Sequence, residues 1–343
     1  MSEGRIVCWP PSTSSSNRNV QDNRVTLNPG TSQCWFGMIV WPVIWLTVLS
    51  ACVGKFETKP ILASVCHIDW QQQAGMASAS LPDVHNNKEL HVLIWNIHDR
   101  LLPGSIFSTR GHTEEEVACI GDVASQFDLV LFQEAFVRPA QLARYTKHAW
   151  ADYPLFAKGG GGDWWPLRAL CEICLSPGLL MLAQEKPEFV HVEPYKAFAG
   201  WNTELNKADD FFSKGLQLVQ FPTFWILNSH MDAGRGQDSI DARALQFRQI
   251  TATLKRFVPN DAPLLIGMDS NLRPDREKQD GEILHEFLDA NALTLVRQNG
   301  PDLIAVRNIR VKTPQSLPLK GVLSDHSALS AIIYPLAVPR LSP

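Results

Sequence analysis

Several apolar runs of this chain stop on residues able to bind a cation or carry a proton. "ELHVLIWNI" ends on Asn96, "FDLVLFQEAF" carries Glu134 near its end, and "FWILNSH" ends on His230. "APLLIGMDSN" closes on Asp269 and Asn271, and Asp325 with His326 stands just before "SALSAII". One polar strand end is ordinary, and a lone histidine there is more often a surface residue or a satisfied core residue. Five such ends, drawn only from Asn, Glu, Asp and His, point to one shared site at a sheet edge, because polar groups at the ends of core strands are costly unless they find partners. Carboxylates and carboxamides suit a hard divalent cation such as Mg2+, with Mn2+ or Ca2+ as alternatives. Two histidines can hydrogen-bond phosphate oxygens and move protons near neutral pH. Together the set fits metal-assisted attack of water on a phosphodiester.

The elements that must position these residues follow from the pattern. Short apolar runs bounded by polar residues read as buried strands. They cover 178–183 and 215–221 as well as the runs above, and "PDLIAVRN" and "HSALSAII" close the series. Thr113 followed by Glu116 is a capping box that opens a helix, with Val117, Ile120 and Ala124 at helical spacing behind it. "QDSIDARALQFRQITATLKRF" and "GEILHEFLDANAL" are further helices. Helices are few relative to strands and several strands are adjacent in sequence, which predicts a mixed α/β sheet system with helices outside.

The chain has 343 residues, 45% of them hydrophobic, with 11 Trp and 16 Phe, enough for a sizeable core. Its net charge of -4 gives no basic footprint for tight non-specific binding to nucleic acid. It leaves open a nuclease whose metal supplies the positive charge.

Residues 11–33 are polar and aperiodic and read as disordered. Phe36 to Gly54 is uncharged, short for a membrane span, and ends in Leu49-Ser50-Ala51-Cys52. This resembles a bacterial lipoprotein signal, in which Cys52 is lipidated; a plain membrane anchor is the other reading. Residues 1–52 are thus expected to be leader and anchor, 53–87 a linker and 88–336 the catalytic domain, working in the cell envelope or on the extracellular side of a membrane. Downstream of Cys52 stand Cys66, Cys119, Cys171 and Cys174, an even number that suits an oxidising compartment. The Cys171/Cys174 pair lacks the further ligands that zinc needs and suits a local disulfide or two buried thiols.

The motifs "LIWNIHD", "LVLFQEAF", "LNSHMDAG…R..Q", "GMDSN", "PDLIAVRN" and "LSDHSAL" stand in the order found in the endonuclease/exonuclease/phosphatase (DNase I-like) superfamily. The resemblance spans about residues 89 to 334. It implies a four-layer α/β sandwich, two facing mixed β-sheets flanked by helices, with the site at their joined ends. It further implies that Glu134 is the principal metal ligand, that Asn96 binds metal or phosphate, and that Asp325 completes the metal-side acidic group. His230 would donate to the scissile phosphate, Asp269 would hold the nucleophilic water or the metal, and Asn271 would position phosphate. His326 would be general base or acid, oriented by Asp302.

Within that superfamily, "YKAFAGWNTELNKADDFFSKGLQLVQF" and "HMDAG" resemble the neutral sphingomyelinase branch. Lys214 is then expected to contact phosphate or a lipid head group; the alternative is a solvated turn lysine. Bacterial sphingomyelinases carry an aromatic-tipped hairpin before the final Asp-His, where this chain has "RNIRVKTPQSLPLKGVL". The substitute is "KGGGGDWWPL", whose Trp164 and Trp165 suit a membrane interface. The expected substrate is a membrane lipid phosphodiester of sphingomyelin type, with nucleic acid as the alternative.

Overall fold

The computed structural model describes Cys66 and residues 89–99, 112–136, 138–155, 176–199, 213–321 and 323–335. All of them fall within one compact unit, Thr58–Pro343. Cys52, Trp164, Trp165, Cys171, Cys174 and the apolar segment from Phe36 lie outside the described residues.

The first sheet is built on β1 (Leu90–Asp99), which pairs parallel with β2 (Leu129–Ala135) and antiparallel with β12 (Ala328–Pro335). Beyond β2 lie β4 (Leu180–Ala183) and the edge strand β3 (Trp150–Asp152); β11 (Ile309–Leu317) closes the other edge. In the second sheet β7 (Trp225–His230) pairs parallel with β8 (Leu264–Asp269). β6 (Gly215–Gln220) and then β5 (Phe189–Pro194) flank β7, while β10 (Asp302–Arg307) and β9 (Thr294–Asn299) flank β8. Both sheets are six-stranded and mixed. Four helices among the described residues cover them: α1 (Glu114–Ala124), α2 (Pro139–Tyr145), α3 (Gln237–Phe257) and α4 (Lys278–Ala290).

The four layers follow from the period of two along each strand. On β1, Leu93 and Trp95 face outward and pack with Val117, Ile120 and Val123 of α1 and Leu142 of α2. Val92 and Ile94 face inward, into a core shared with Ile226, Leu265 and Ile304 of the second sheet. That sheet alternates likewise. Leu227, Leu264, Ile266 and Met268 pack outward on Phe247, Ile250 and Leu254 of α3 and on Leu284 and Phe287 of α4. The sheets approach so closely at Gly267 that a Cβ there would lie 2.6 Å from the Ile94 side chain. This is the predicted four-layer α/β sandwich.

The capping box at the start of α1 forms in both directions: Glu116 N donates to Thr113 Oγ1 and Thr113 N to Glu116 Oε2. Cys119 on α1 is disulfide-bonded to Cys66, which ties that residue to the helical layer of the first sheet. A polar strut also crosses the sandwich. Gln133 Nε2 donates to Asn228 Oδ1 at 2.8 Å, Asn228 Nδ2 to Phe132 O at 3.1 Å, and Gln217 Nε2 to Asp152 Oδ2 at 2.6 Å. Burial raises the Asp152 pKa, and the bond from Gln217 opposes that shift only in part. Among the described residues no helix is long and apolar enough to cross a membrane.

Strands β3, β5, β9 and β11 and helix α2 go beyond the sequence-based expectation. The four strands occupy the sheet edges. Their faces are only partly buried, so their sequences lack the continuous apolar run that marks the central strands.

Candidate active site

Topology brings the polar strand ends to one edge. β1 and β2 both finish there, as do β7 and β8 in the facing sheet. Antiparallel β10 begins there, with Asp302 opposite Asp269, and β6 begins opposite His230, just after Lys214. The inward-facing register explains the residue choice. Ile94 is followed two positions later by Asn96, Ile226 by Asn228 and His230, and Leu265 by Gly267 and Asp269, so each apolar inner row turns polar at this edge. An unpartnered buried polar group costs about 1–3 kcal/mol, and here the groups partner one another across the sandwich.

Asn96 Nδ2 donates to Asp269 Oδ2 at 2.8 Å and so links the sheets. Alternation would send Glu134 outward, but its backbone is left-handed (φ 57°) and the fully buried carboxylate joins the edge instead. Glu134 Oε1 lies 3.6 Å from His230 Nε2, and Asp269 Oδ2 lies at the same distance from that nitrogen. Glu134, His230 and Asp269 form one group of potential ligand atoms mutually within 4.8 Å, and Asp269, Asp302 and His326 form another. Burial would raise the Asp269 pKa, but the charges of His230 and His326 and the bond from Asn96 outweigh it and hold the carboxyl below the usual range.

Lys214 is no solvated turn residue. It is buried, with Nζ 2.9 Å from His230 Nε2 and 3.1 Å from Nδ1. His326 has the opposite kind of partner: its Nδ1 lies 2.7 Å from Asp302 Oδ2. Burial disfavours charge on His326, yet the bond to Asp302 and the nearby carboxylates of Asp269 and Asp325 outweigh it and raise its pKa. The His326 backbone is pinned by Ser324 Oγ, which accepts from His326 N at 3.0 Å and donates to Asn96 O at 2.6 Å. His326 Nε2 faces Asp269 Oδ2 across 3.9 Å, a gap that one shared water oxygen can bridge.

Asn271, also left-handed (φ 52°), donates its backbone N–H to Asp269 Oδ1 at 2.9 Å and its amide to Met231 O. It therefore orients Asp269 and ties down the chain leaving His230. Arg243 and Gln246, the "R..Q" of the motif, hold the same turn: Arg243 donates to Gly234 O and Gln246 accepts from Asp232 N. Gly234 sits at φ 127°, where a Cβ would be strained, so the glycine lets the chain turn away beside the cleft. Asp325 is largely exposed at the rim, its Oδ1 3.8 Å from His326 Nε2.

The structure adds His98, which sequence reasoning passed over although it lies inside the "NIHD" motif. Its Nδ1 is 3.3 Å from Glu134 Oε2 and 3.1 Å from Asp325 Oδ1.

Two mixed sheets packed face to face, with helices outside, have counterparts among solved structures. Sphingomyelinase C from Streptomyces griseocarneus superposes with a TM-score of 0.51 at 16% identity, covering 71% of this chain and 99% of that one. An endonuclease/exonuclease/phosphatase from Beutenbergia cavernae does so with a TM-score of 0.50 at 14% identity, covering 72% of each chain. The fold is that of the endonuclease/exonuclease/phosphatase superfamily. Beta toxin from Staphylococcus aureus, solved with bound magnesium ions, shares this superfamily fold at a TM-score of 0.51 and 13% identity, covering 71% of this chain and 99% of that one. No family model matches the sequence, and no curated protein sequence matches it.

The cleft residues fit a cation of the magnesium type. Carboxylate and carboxamide oxygens of Glu134, Asn96, Asp269 and Asp325 are hard donors, and the buried atoms His98 Nδ1 and Asp302 Oδ1 make no hydrogen bond among the described residues.

Proposed function

We propose that this chain is a metal-dependent phosphodiesterase whose substrate is a membrane lipid of sphingomyelin type. The observation that carries the reading is the convergence, at one sheet edge, of a His326–Asp302 pair, a cluster of buried carboxylates and the Lys214–His230 pair. When bound, a divalent cation at Glu134 and Asn96 would supply charge stabilisation to the phosphate. The chain's own groups do the rest. Asp302 fixes the imidazole of His326 and makes it a stronger base than a free histidine. Water in the gap between His326 Nε2 and Asp269 gives its proton to Nε2 as its oxygen bonds to phosphorus, the phosphorus–oxygen ester bond on the lipid side breaks, and the leaving lipid oxygen takes up a proton from solvent water to become a hydroxyl. Lys214 and His230 hydrogen-bond the non-bridging phosphate oxygens, whose charge grows in the transition state. The product is a phosphorylated head group.

The lipid reading is supported by the fold shared with sphingomyelinase C and by the Trp164–Trp165 pair beside four glycines. Action outside the cytoplasm is supported by the Cys66–Cys119 disulfide, and Cys52 as a lipid anchor by the Leu49-Ser50-Ala51-Cys52 sequence that ends the apolar segment. Pure protein assayed in parallel on sphingomyelin vesicles, plasmid DNA and inositol phosphates tests the substrate. Cleavage of the vesicles is expected to be fastest; faster cleavage of DNA would replace the lipid reading with a nuclease. Changing Trp164 and Trp165 together to Ala should slow vesicle hydrolysis and spare a small soluble phosphodiester. Equal losses on both substrates would make the pair structural.

A further inference from the structure

His98 follows Asn96 by two residues, at a point where the β1–β2 register breaks between Asn96 and Asp99. Its backbone is left-handed (φ 54°), a conformation that a non-glycine residue holds only when its surroundings fix it. The surroundings do so. His98 N donates to Asn96 Oδ1 at 3.0 Å. On the far side, His112 N donates to Asp99 Oδ1 at 3.0 Å, and His112 Nε2 lies 2.6 Å from Ile97 O. Arg138 Nη2 in turn donates to His112 O at 2.8 Å. The turn is braced on both sides of a single side chain, and that side chain enters the cleft.

Its Nδ1 is shut off from solvent and makes no hydrogen bond, although Glu134 Oε2 and Asp325 Oδ1 lie only 3.3 and 3.1 Å away. Adjacent ligands on an octahedral cation with bonds of about 2.1 Å are themselves about 3.0 Å apart. A ring nitrogen at that spacing from each of two carboxylate oxygens, with no hydrogen bond joining them, is placed to share a cation with Glu134, whose carboxylate already belongs to a group of potential ligands with His230 and Asp269. Asp325, being exposed, has room to adjust toward it. Imidazole nitrogen favours transition cations, whereas an all-oxygen set favours magnesium and calcium.

We propose that His98 is a nitrogen ligand on the metal side of the cleft, and that it shifts the site's preference toward Mn2+ over Mg2+. The proposal rests on the metal-dependent reading above and deepens it. His98→Asn is the informative variant, because asparagine tolerates the left-handed backbone and offers oxygen in place of nitrogen; His98→Gln serves if that variant does not fold.

Calorimetric titration of the full chain with Mn2+ and with Mg2+, alongside pulsed electron spin resonance of the Mn2+ form, tests it. The expected result is a 10–100-fold weaker Mn2+ affinity in His98→Asn, roughly the effect of losing a supporting metal-site group. Mg2+ affinity should change less than about threefold, and nitrogen modulation on the Mn2+ signal should fall relative to the wild type. Mn2+ affinity and nitrogen modulation unchanged in His98→Asn, with binding weakened in Glu134→Gln, would overturn the nitrogen ligand and leave the metal site standing. A wild-type chain that binds neither cation would overturn both.

Discussion

The cleft has two histidine corners built on opposite charges. At one, His326 is reached over an exposed rim and paired with the carboxylate of Asp302. At the other, His230 is almost fully buried and paired with the ammonium of Lys214. Under the proposed function one residue type is thereby given two tasks. A carboxylate partner favours an imidazole that accepts a proton, while a lysine partner would add positive charge beside an anionic phosphate oxygen. Asp302 opens a strand antiparallel to the Asp269 strand and Lys214 immediately precedes one antiparallel to the His230 strand, so sheet pairing brings both to this edge.

The comparison breaks most readily at the histidines themselves. His326→Ala and His230→Ala should each lower turnover by roughly 10²–10⁴-fold, the usual worth of a positioned acid–base group. Circular dichroism should show both variants folded; an unfolded variant would make that histidine a structural element.

A smaller pair of effects sharpens the contrast. Asp302→Asn removes the hydrogen-bonded carboxylate that, with Asp269 and Asp325, raises the His326 pKa. If His326 acts as the base, the acid limb of kcat/KM against pH must move to lower pH in this variant. Lys214→Met should lower activity by roughly 10–100-fold, the worth of a charge-assisted hydrogen bond, with the limb in place. A limb that moves in Lys214→Met and stays in Asp302→Asn would reverse the assignment of the two corners.

The smallest expected effect lies behind the cleft, at His112. Burial disfavours its charge, but hydrogen bonds to Glu116 and Ile97 and the charge of Asp99 outweigh it and raise its pKa. A raised folded-state value means that the stability His112 contributes is fully present below the unfolded value of about 6.5 and is lost as pH rises through the folded value. Denaturant midpoints of wild type and His112→Gln should therefore differ most in acid and converge as pH rises. A gap independent of pH would show that the bracing does not depend on a charged ring.

Much of this site was legible in the sequence because its logic is one-dimensional. An apolar row of period two that ends on Asn96, His230 or Asp269 declares both the strand and the direction in which the end residue points. His98 was not legible, since its direction depends on a left-handed backbone and a register break that leave no mark on residue type. Glu134 was found by its chemistry, although simple alternation would have placed it on the wrong face. Lys214 stood between two readings until β6 paired with β7 and carried it to His230. Asn228 and Gln217, inside apolar strands, carried no signal of the polar strut they make between the sheets, because only the packed pair of sheets supplies their partners.

The central claim is that this sheet edge hydrolyses phosphodiesters with a bound divalent cation. Turnover of sphingomyelin vesicles and of a small soluble phosphodiester, measured with Mg2+, with chelator and in Glu134→Gln, tests it most directly. Activity on at least one substrate with Mg2+, lost in chelator, restored by added cation and absent in Glu134→Gln, is the predicted result. Full activity in chelator, or in Glu134→Gln, would contradict it.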